Sequence, residues 1–268
     1  MSAFPGSLMP AAFAAQGLSI LDPFVPWLLA AVLLAAGGLA WRGRRALAVA
    51  APWRLAARLS WAAAGGLMLG AALLFWGMAW GVMAGQESAF GQWIAGWDGA
   101  ALLWARREPL HGLRALALAL TDIGSARVLM PLVVLVSLWL LYRRQRFLAA
   151  AWFIGCTANS LLLRMLKNVF ERTRPVHAAE VMASGYSFPS GHAAGMAMVI
   201  GLLVWLLRDQ VAGPWRAPLV LLGILLIAAV AASRVLLQAH FLSDVLAGLL
   251  LGAFSLLLTI AVIEHART

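Results

Sequence analysis

The chain has 268 residues, of which 63% are hydrophobic and only 11% are charged, and its formal net charge is +10. Soluble domains average about 45–50% apolar and about 25% charged residues, so the composition excludes a soluble protein and predicts an integral membrane protein made of helices. The positive charge would favour a nucleic-acid partner in a soluble protein, but here we expect none and relate the charge to membrane topology.

Seven apolar segments are candidates for crossing a bilayer, whose hydrocarbon core takes about 20 apolar residues of helix. In chain order they cover residues 24–41, 60–84, 127–142, 147–167, 190–207, 217–234 and 243–263. We divide the chain into an N-terminal segment with one transmembrane helix, 1–59, and a membrane-embedded domain, 60–268. The first 25 residues contain no lysine or arginine, so a cleaved secretory signal is not expected.

Residues 87–122 are too polar to span the membrane but are not an ordinary loop. Three tryptophans of this segment fall within about 40° of one another at helical periodicity. They are Trp93, Trp97 and Trp104. Tryptophan favours the membrane interface, so we expect an amphipathic helix on the outer leaflet that ends at Pro109, and a second short helix at about 110–120. The segment is either a packing element or a lid that shapes lipid access.

The distribution of arginine predicts the orientation. If seven spans alternate, 11 arginines lie on one side of the membrane, which should be the cytoplasm. They are Arg42, Arg44, Arg45, Arg54, Arg58, Arg143, Arg144, Arg146, Arg208, Arg216 and Arg267. The residues discussed next then face the periplasm of a bacterial inner membrane, in a multi-pass protein.

The tetrapeptide 189–192, Pro-Ser-Gly-His, precedes an apolar run and is typical of a helix start. Ser190 is a good N-cap residue, and the first turn of a helix offers free N–H groups to an anion. Gly191 would let a phosphate approach the backbone closely. The alternative is an ordinary capped helix in which His192 has no chemical role.

His240 and Asp244 are four residues apart at the start of the last span, so on a helix they would share one face. A carboxylate that binds one imidazole nitrogen fixes the tautomer and leaves the other nitrogen as a nucleophile or base. The alternative is a structural His–Asp hydrogen bond. Arg234 favours the chemical interpretation, because a phosphate held by its guanidinium would face the imidazole.

Lys167 is the only lysine of the chain and ends the fourth span. Arg174 precedes Pro175, which disfavours a helical conformation and leaves the arginine free to turn inward. Lysine and arginine both bind phosphate, as a point charge and as a bidentate fork. The alternative is a Lys167–Glu171 ion pair, with the arginines reaching the interface. Arg172 has no assigned partner, and we interpret it as an interface charge.

Taken together, the patterns Lys-x6-Arg-Pro, Pro-Ser-Gly-His and Ser-Arg-x5-His-x3-Asp resemble the three signature motifs of the type 2 phosphatidic acid phosphatase superfamily. Every motif position is filled, by Lys167, Arg174, Pro175, Pro189, Ser190, Gly191, His192, Ser233, Arg234, His240 and Asp244. The likeness is strong over about 167–250 and extends loosely from residue 60, including the segment 121–125. Members usually have six core spans, so the resemblance implies a six-helix phosphatase core, and the segment at 24–41 departs from that pattern as an extra N-terminal transmembrane helix.

The resemblance also implies roles. His240 would attack phosphorus to give a phosphohistidine, Asp244 would orient it, and His192 would protonate the leaving oxygen. The phosphate oxygens would be held by Lys167, Arg174, Ser190, Gly191 and Arg234. No metal and no cofactor are expected, because the cations supply the charge stabilisation.

Three functions remain open at this point. The first is a lipid phosphatase on the periplasmic face, acting on phosphatidic acid, phosphatidylglycerophosphate or a polyprenyl diphosphate such as undecaprenyl diphosphate. The second is a phosphotransferase that moves the phosphoryl group from a polyprenyl diphosphate to another lipid. The third is a non-catalytic transporter or lipid-binding protein, which the clustering of charge at one face disfavours. The expected partners are the lipid substrate and the bilayer, with no obligate protein partner.

Overall fold

The computed structural model describes residues 60–107, 113–176 and 185–266, and within these ranges the regular secondary structure is helical, without strands. Its α-helices are α1 Trp61–Ala84, α2 Ala89–Ala105, α3 Arg114–Ile123, α4 Ala126–Tyr142, α5 Arg146–Phe170, α6 Gly191–Arg208, α7 Gly213–Leu236 and α8 Leu242–His265. A 3₁₀ turn, Gly85–Glu87, joins α1 to α2. The span predicted at 24–41 and the helix end predicted at Pro109 lie outside the described residues.

Six stretches of the described residues are long and apolar enough to cross a membrane. They are Ala62–Glu87, Arg114–Tyr142, Arg146–Phe170, Gly191–Arg208, Gly213–Leu236 and Leu242–His265. The predicted all-α membrane fold with a six-helix core is therefore confirmed. The second of these stretches begins 13 residues before the predicted residue 127, because α3 and α4 are separated only by Gly124 and Ser125.

The helix α6 lies at the centre of the bundle and packs against α5, α7 and α8. It is the most buried of the six candidate spans, and its side chains join a core shared by α4, α5, α7 and α8. Large apolar side chains such as Leu74, Met130 and Leu135 are instead exposed on the outside of the bundle. In water such a surface would be unfavourable, so its apolar character fits a lipid-facing exterior.

Two glycines let α6 and α8 approach closely. A Cβ atom at Gly248 would lie 2.5 Å from the carbonyl oxygen of Ser190, and one at Gly252 would lie 2.5 Å from that of Ala194. Because no side chain fits these spaces, the backbones are in direct contact, as at small-residue interfaces between membrane helices. The Ser190 N–H also donates to the carbonyl oxygen of Asp244 at 2.9 Å, so the N-terminal ends of both helices lie side by side.

The helix α2 is the predicted amphipathic element. Trp93, Trp97 and Trp104 lie on its outer face with 51%, 39% and 46% of their surface exposed. Its inner face buries Ile94 and, unexpectedly, the carboxylate of Asp98. The following helix α3 is Arg114–Ile123, which agrees with most of the predicted short helix at about 110–120, whose first residues lie outside the described ranges. The location of α2 on the outer leaflet stays a prediction.

Candidate active site

The predicted site residues lie at one end of the bundle, although they come from four helices and two connections. They are Lys167 near the end of α5, Arg174 after it, Ser190, Gly191 and His192 at the start of α6, Arg234 near the end of α7, His240 just before α8, and Asp244 in the first turn of α8. Direct contacts join these elements: Arg174 Nη1 lies 2.8 Å from the carbonyl oxygen of Ala239 and 3.1 Å from His240 Nε2.

His240 and Asp244 are in contact, but not through the shared helix face that the spacing predicted. The helix α8 begins at Leu242, so His240 precedes it and only Asp244 lies in its first turn. His240 Nδ1 is 3.4 Å from Asp244 Oδ2, which also accepts the N–H of Phe241 at 3.0 Å and the hydroxyl of Ser187. With Nδ1 directed at the carboxylate, Nε2 lies on the side of the Arg174 guanidinium, 3.1 Å from Nη1.

Only 1% of the His240 surface is exposed, and the burial lowers the pKa of its imidazole to about 4. The hydrogen bond and charge of Asp244 raise this pKa, whereas Arg174 and Arg234 lower it. Desolvation and the two arginines affect this pKa more than Asp244 does, so the His240 ring is neutral near pH 7. A neutral imidazole oriented by a carboxylate is the form that acts as a nucleophile.

Arg174 adopts the non-helical conformation that its position before Pro175 predicted. Its Nε donates to the carbonyl oxygen of Gly185 at 2.8 Å, which joins the two described parts of the connection between α5 and α6. Burial is the main cause that lowers the pKa of the Arg174 guanidinium, partly opposed by Asp244. An arginine with a lowered pKa is still a cation at neutral pH.

The Lys167 ammonium donates to the backbone carbonyl oxygens of Tyr186 and, at 3.4 Å, Ser187. It is therefore directed at the loop before α6, and the alternative ion pair with Glu171 is not the contact that the structure has. Phe188 is fully buried in that loop, 5.0 Å from the ring of Phe170 in an edge-to-face arrangement. This packing stabilises the loop whose carbonyl oxygens accept hydrogen bonds from the Lys167 ammonium.

Two buried polar atoms of the site have no hydrogen-bond partner among the described residues: Ser190 Oγ and Arg234 Nε. Ser190 occupies the N-cap position as predicted, but its hydroxyl makes no capping bond. Arg234 is 5% exposed and donates through Nη1 to the hydroxyl of Thr121. An unsatisfied buried polar group costs about 1–3 kcal/mol, so these two atoms indicate a place for ligand oxygens.

His192 lies in the first turn of α6, next to Gly124. The charges of Arg234, His240, Arg174 and Lys167 all act on it, which places the second histidine within the same cationic cluster. The two histidines therefore belong to one cluster, although His192 lies on α6 and His240 in the turn before α8.

Sequence reasoning missed two residues of this region, and the interpretation of Arg172 as an interface charge was wrong. Arg172 Nη1 lies 2.5 Å from Asp244 Oδ1, and its Nη2 lies 2.7 Å from Asp98 Oδ2. One signal was available in the sequence: Asp98 is the only ionisable residue of α2, and a lone carboxylate on an apolar helix needs a partner.

Comparison with known proteins finds relatives of this chain. Residues 149–267 match the PAP2 superfamily. Phosphatidylglycerophosphatase B of Bacillus subtilis (strain 168) is 30% identical over 138 residues, which are 50% of this chain and 66% of that protein. Among solved structures, the chain is similar to the first transmembrane PAP2 type phosphatidylglycerolphosphate phosphatase, from Bacillus subtilis. The TM-score is 0.63 at 26% identity, and the match covers 74% of this chain and 96% of that one.

Proposed function

Because this chain belongs to the PAP2 superfamily, we propose that it is a metal-independent membrane lipid phosphatase that removes a terminal phosphate through a phosphohistidine. The observation that carries the proposal is the neutral, buried His240, held between Asp244 and a cationic cluster in which Ser190 and Arg234 keep unpartnered polar atoms. A tetrahedral dianion supplies the acceptor oxygens that such a cluster lacks.

The substrate class we propose is a lipid phosphate, with phosphatidylglycerophosphate first, since both Bacillus subtilis relatives bear that name. An apolar groove supports a lipid over a water-soluble ester. It lies between α1, α5 and α8 and is lined by Ala71, Ala72, Phe75, Trp76, Leu162, Leu166, Leu250, Leu251 and Phe254. Phe75 in this groove packs against Phe188 of the loop before α6, with ring centroids 5.9 Å apart, so acyl chains in the groove would lie near the loop that contacts Lys167.

In the proposed mechanism, His240 Nε2 attacks phosphorus in line with the leaving oxygen, and the P–O bond to the lipid breaks. His192 in its protonated form gives its proton to that oxygen, and Asp244 stabilises the charge that develops on the His240 ring. A water then attacks the phosphohistidine while His192 accepts its proton, which releases phosphate and restores both histidines. The non-bridging oxygens are held by Lys167, Arg174, Arg234, Ser190 and the Gly191 N–H.

Phosphate release from phosphatidylglycerophosphate by the purified, detergent-solubilised protein tests this function. We expect turnover to persist in excess chelator, because side-chain cations carry the charge stabilisation, and vanadate to inhibit by imitating five-coordinate phosphorus. Loss of activity in chelator that magnesium restores would refute the metal-free mechanism. Phosphate that appears on an added acceptor lipid, and not in solution, would instead identify a phosphotransferase.

The periplasmic orientation of the site predicts the labelling of two single-cysteine variants. Gln145→Cys, in the turn after α4, and Val176→Cys, 90% exposed after α5, are made in a Cys156→Ser background. A membrane-impermeant maleimide added to intact cells should label position 176, and should label position 145 only after permeabilisation, because α5 crosses the membrane between them. Labelling of both from one side contradicts the span, and the reverse pattern contradicts the periplasmic site.

A further inference from the structure

Asp98 is a buried carboxylate on α2, whose sequence is otherwise uncharged. Only 3% of its surface is exposed, yet both oxygens are satisfied by the first turn of α8. Its Oδ1 accepts the backbone N–H of Ser243 at 2.8 Å, and its Oδ2 accepts the hydroxyl of Ser243 at 2.7 Å. A charge this buried needs a compensating cation, and Arg172 supplies it.

The two terminal nitrogens of the Arg172 guanidinium bind two different carboxylates. Nη2 binds Asp98 Oδ2 at 2.7 Å, while Nη1 binds Asp244 Oδ1 at 2.5 Å and Ser243 Oγ at 2.7 Å. The guanidinium carbon also lies 4.1 Å from the centre of the Phe241 ring, which covers the group from one face. Because the guanidinium is planar, its orientation relative to both carboxylates is fixed, which a lysine ammonium group would not achieve.

We propose that Arg172 and Asp98 are positioning residues for the reaction: they hold the Asp244 carboxylate so that Oδ2 faces His240, and they make α2 a part of the catalytic unit. This inference rests on the proposed function of His240. Because Arg172 occupies Oδ1, the Asp244 carboxylate is prevented from rotating, and Oδ2 stays with His240 Nδ1, Ser187 and the N–H of Phe241. Asp98 in turn prevents Arg172 from withdrawing.

The charges of this trio also have a consequence for the imidazole. The formal charges of Asp98, Arg172 and Asp244 sum to −1, a balance that favours positive charge on the His240 ring. Neutralising Asp98 brings the sum to zero, whereas neutralising Arg172 brings it to −2. The two changes therefore displace the proton affinity of His240 in opposite directions.

Other groups also face His240, and they are unchanged in these variants. They are Asp244 on α8, Ser187 and Arg174 in the connection between α5 and α6, Arg234 on α7 and His192 on α6. Lys167 on α5 interacts with Asp244, Arg174 and Arg234 of the same cluster. Because their contribution is the same in every variant, the sign of the change in the His240 pKa reflects Asp98, Arg172 and Asp244 alone.

The test compares Asp98→Asn, Arg172→Gln and Arg172→Lys with the wild type, as full chains in detergent. Side-chain ¹⁵N NMR of labelled histidine gives the His240 pKa directly, with the signal assigned through His240→Gln among the five histidines of the chain. Steady-state phosphate release from phosphatidylglycerophosphate gives kcat and KM. Glu87→Gln and Arg107→Gln remove the same charges at exposed positions before and after α2 and serve as controls.

We expect the His240 pKa to fall in Asp98→Asn, to rise in Arg172→Gln and to stay near the wild-type value in Arg172→Lys, which keeps the charge. All three should lower kcat by about 10–100-fold with little change in KM, as when the partner of a catalytic ligand is lost. The controls should match the wild type in both measurements.

Shifts of the same sign in Asp98→Asn and Arg172→Gln, or no shift in either, would overturn the proposal. So would a wild-type kcat in Arg172→Lys, because that variant keeps the charge and loses only the planar fork that orients Asp244. The NMR measurement of the His240 pKa does not require turnover, so it tests the proposal even if the wild type releases no phosphate. Absence of phosphate release by the wild type would separately refute the proposed function. If Arg172→Gln does not fold, Asp98→Asn and Arg172→Lys still decide, because the proposal requires a lowered pKa in one and an unchanged pKa in the other.

Discussion

His240→Ala should abolish phosphate release from every substrate. The variant lacks the imidazole nitrogen that attacks phosphorus in the proposed mechanism, so no phosphoenzyme can form. The effect should be as complete on an activated aryl phosphate as on a lipid phosphate, because the nature of the leaving group does not replace a nucleophile. The measurement is turnover of p-nitrophenyl phosphate and of phosphatidylglycerophosphate by the purified variant. His265→Ala, at the exposed far end of α8, is the matched control.

His192→Ala should behave differently, because the proposed role of His192 is to protonate the leaving oxygen. On a lipid phosphate, whose alkoxide leaves poorly, the loss should reach the range in which general acid catalysis contributes, about 10²–10⁴-fold. On p-nitrophenyl phosphate, which releases a stable anion, much of that loss should disappear. Equal losses on both substrates for His192→Ala, together with aryl phosphatase activity retained by His240→Ala, would mean that the two roles are exchanged.

Lys167→Ala should be almost inactive and still correctly inserted and folded. The ammonium lies against the loop that carries Ser187, and in the proposed mechanism it stabilises charge on the transferring phosphoryl group. Removing one such contact typically lowers the rate about 10²–10³-fold. A surface ion pair, by contrast, is worth less than about 1 kcal/mol, so its loss would hardly affect turnover.

The control for this variant is Arg164→Ala, one turn earlier on α5, where the arginine is exposed. Both variants are compared with the wild type by size-exclusion chromatography and by kcat for phosphatidylglycerophosphate. Wild-type turnover in Lys167→Ala would identify the lysine as an interface charge. Loss of the monodisperse peak in Lys167→Ala alone would identify a structural role.

The spans and most of the site could be predicted from the sequence because both leave local signals. A bilayer requires uninterrupted apolar helices, and a phosphate requires several cations that are otherwise rare in such helices. Lys167, Arg174 and Arg234 therefore stood out by their residue type alone. Their convergence at one end of the bundle follows from the alternation of the spans.

The contacts of Arg172 could not be predicted in this way. Asp98 and Arg172 are 74 residues apart, and no periodicity or spacing links them. The start of α8 was predicted at residue 243, one residue from Leu242, but the shared helix face of His240 and Asp244 was predicted wrongly, because the i,i+4 spacing does not reveal that His240 precedes the helix. The spacing of His240 and Asp244 fitted a helix face, but the actual contact is made by a turn that folds back onto the helix end.

The glycine contact between α6 and α8 constrains one part of the bundle and leaves another part free to vary. Gly248 and Gly252 set the distance between the helix that carries His192 and the helix that carries Asp244, and they do so through the absence of side chains. The atoms nearest to these glycines belong to Ser190 and α6 and not to the groove residues on α1 and α5, so the groove side chains can change in size without entering the spaces at the two glycines. Such a bundle is free to adapt to new lipid tails while its chemistry stays constant.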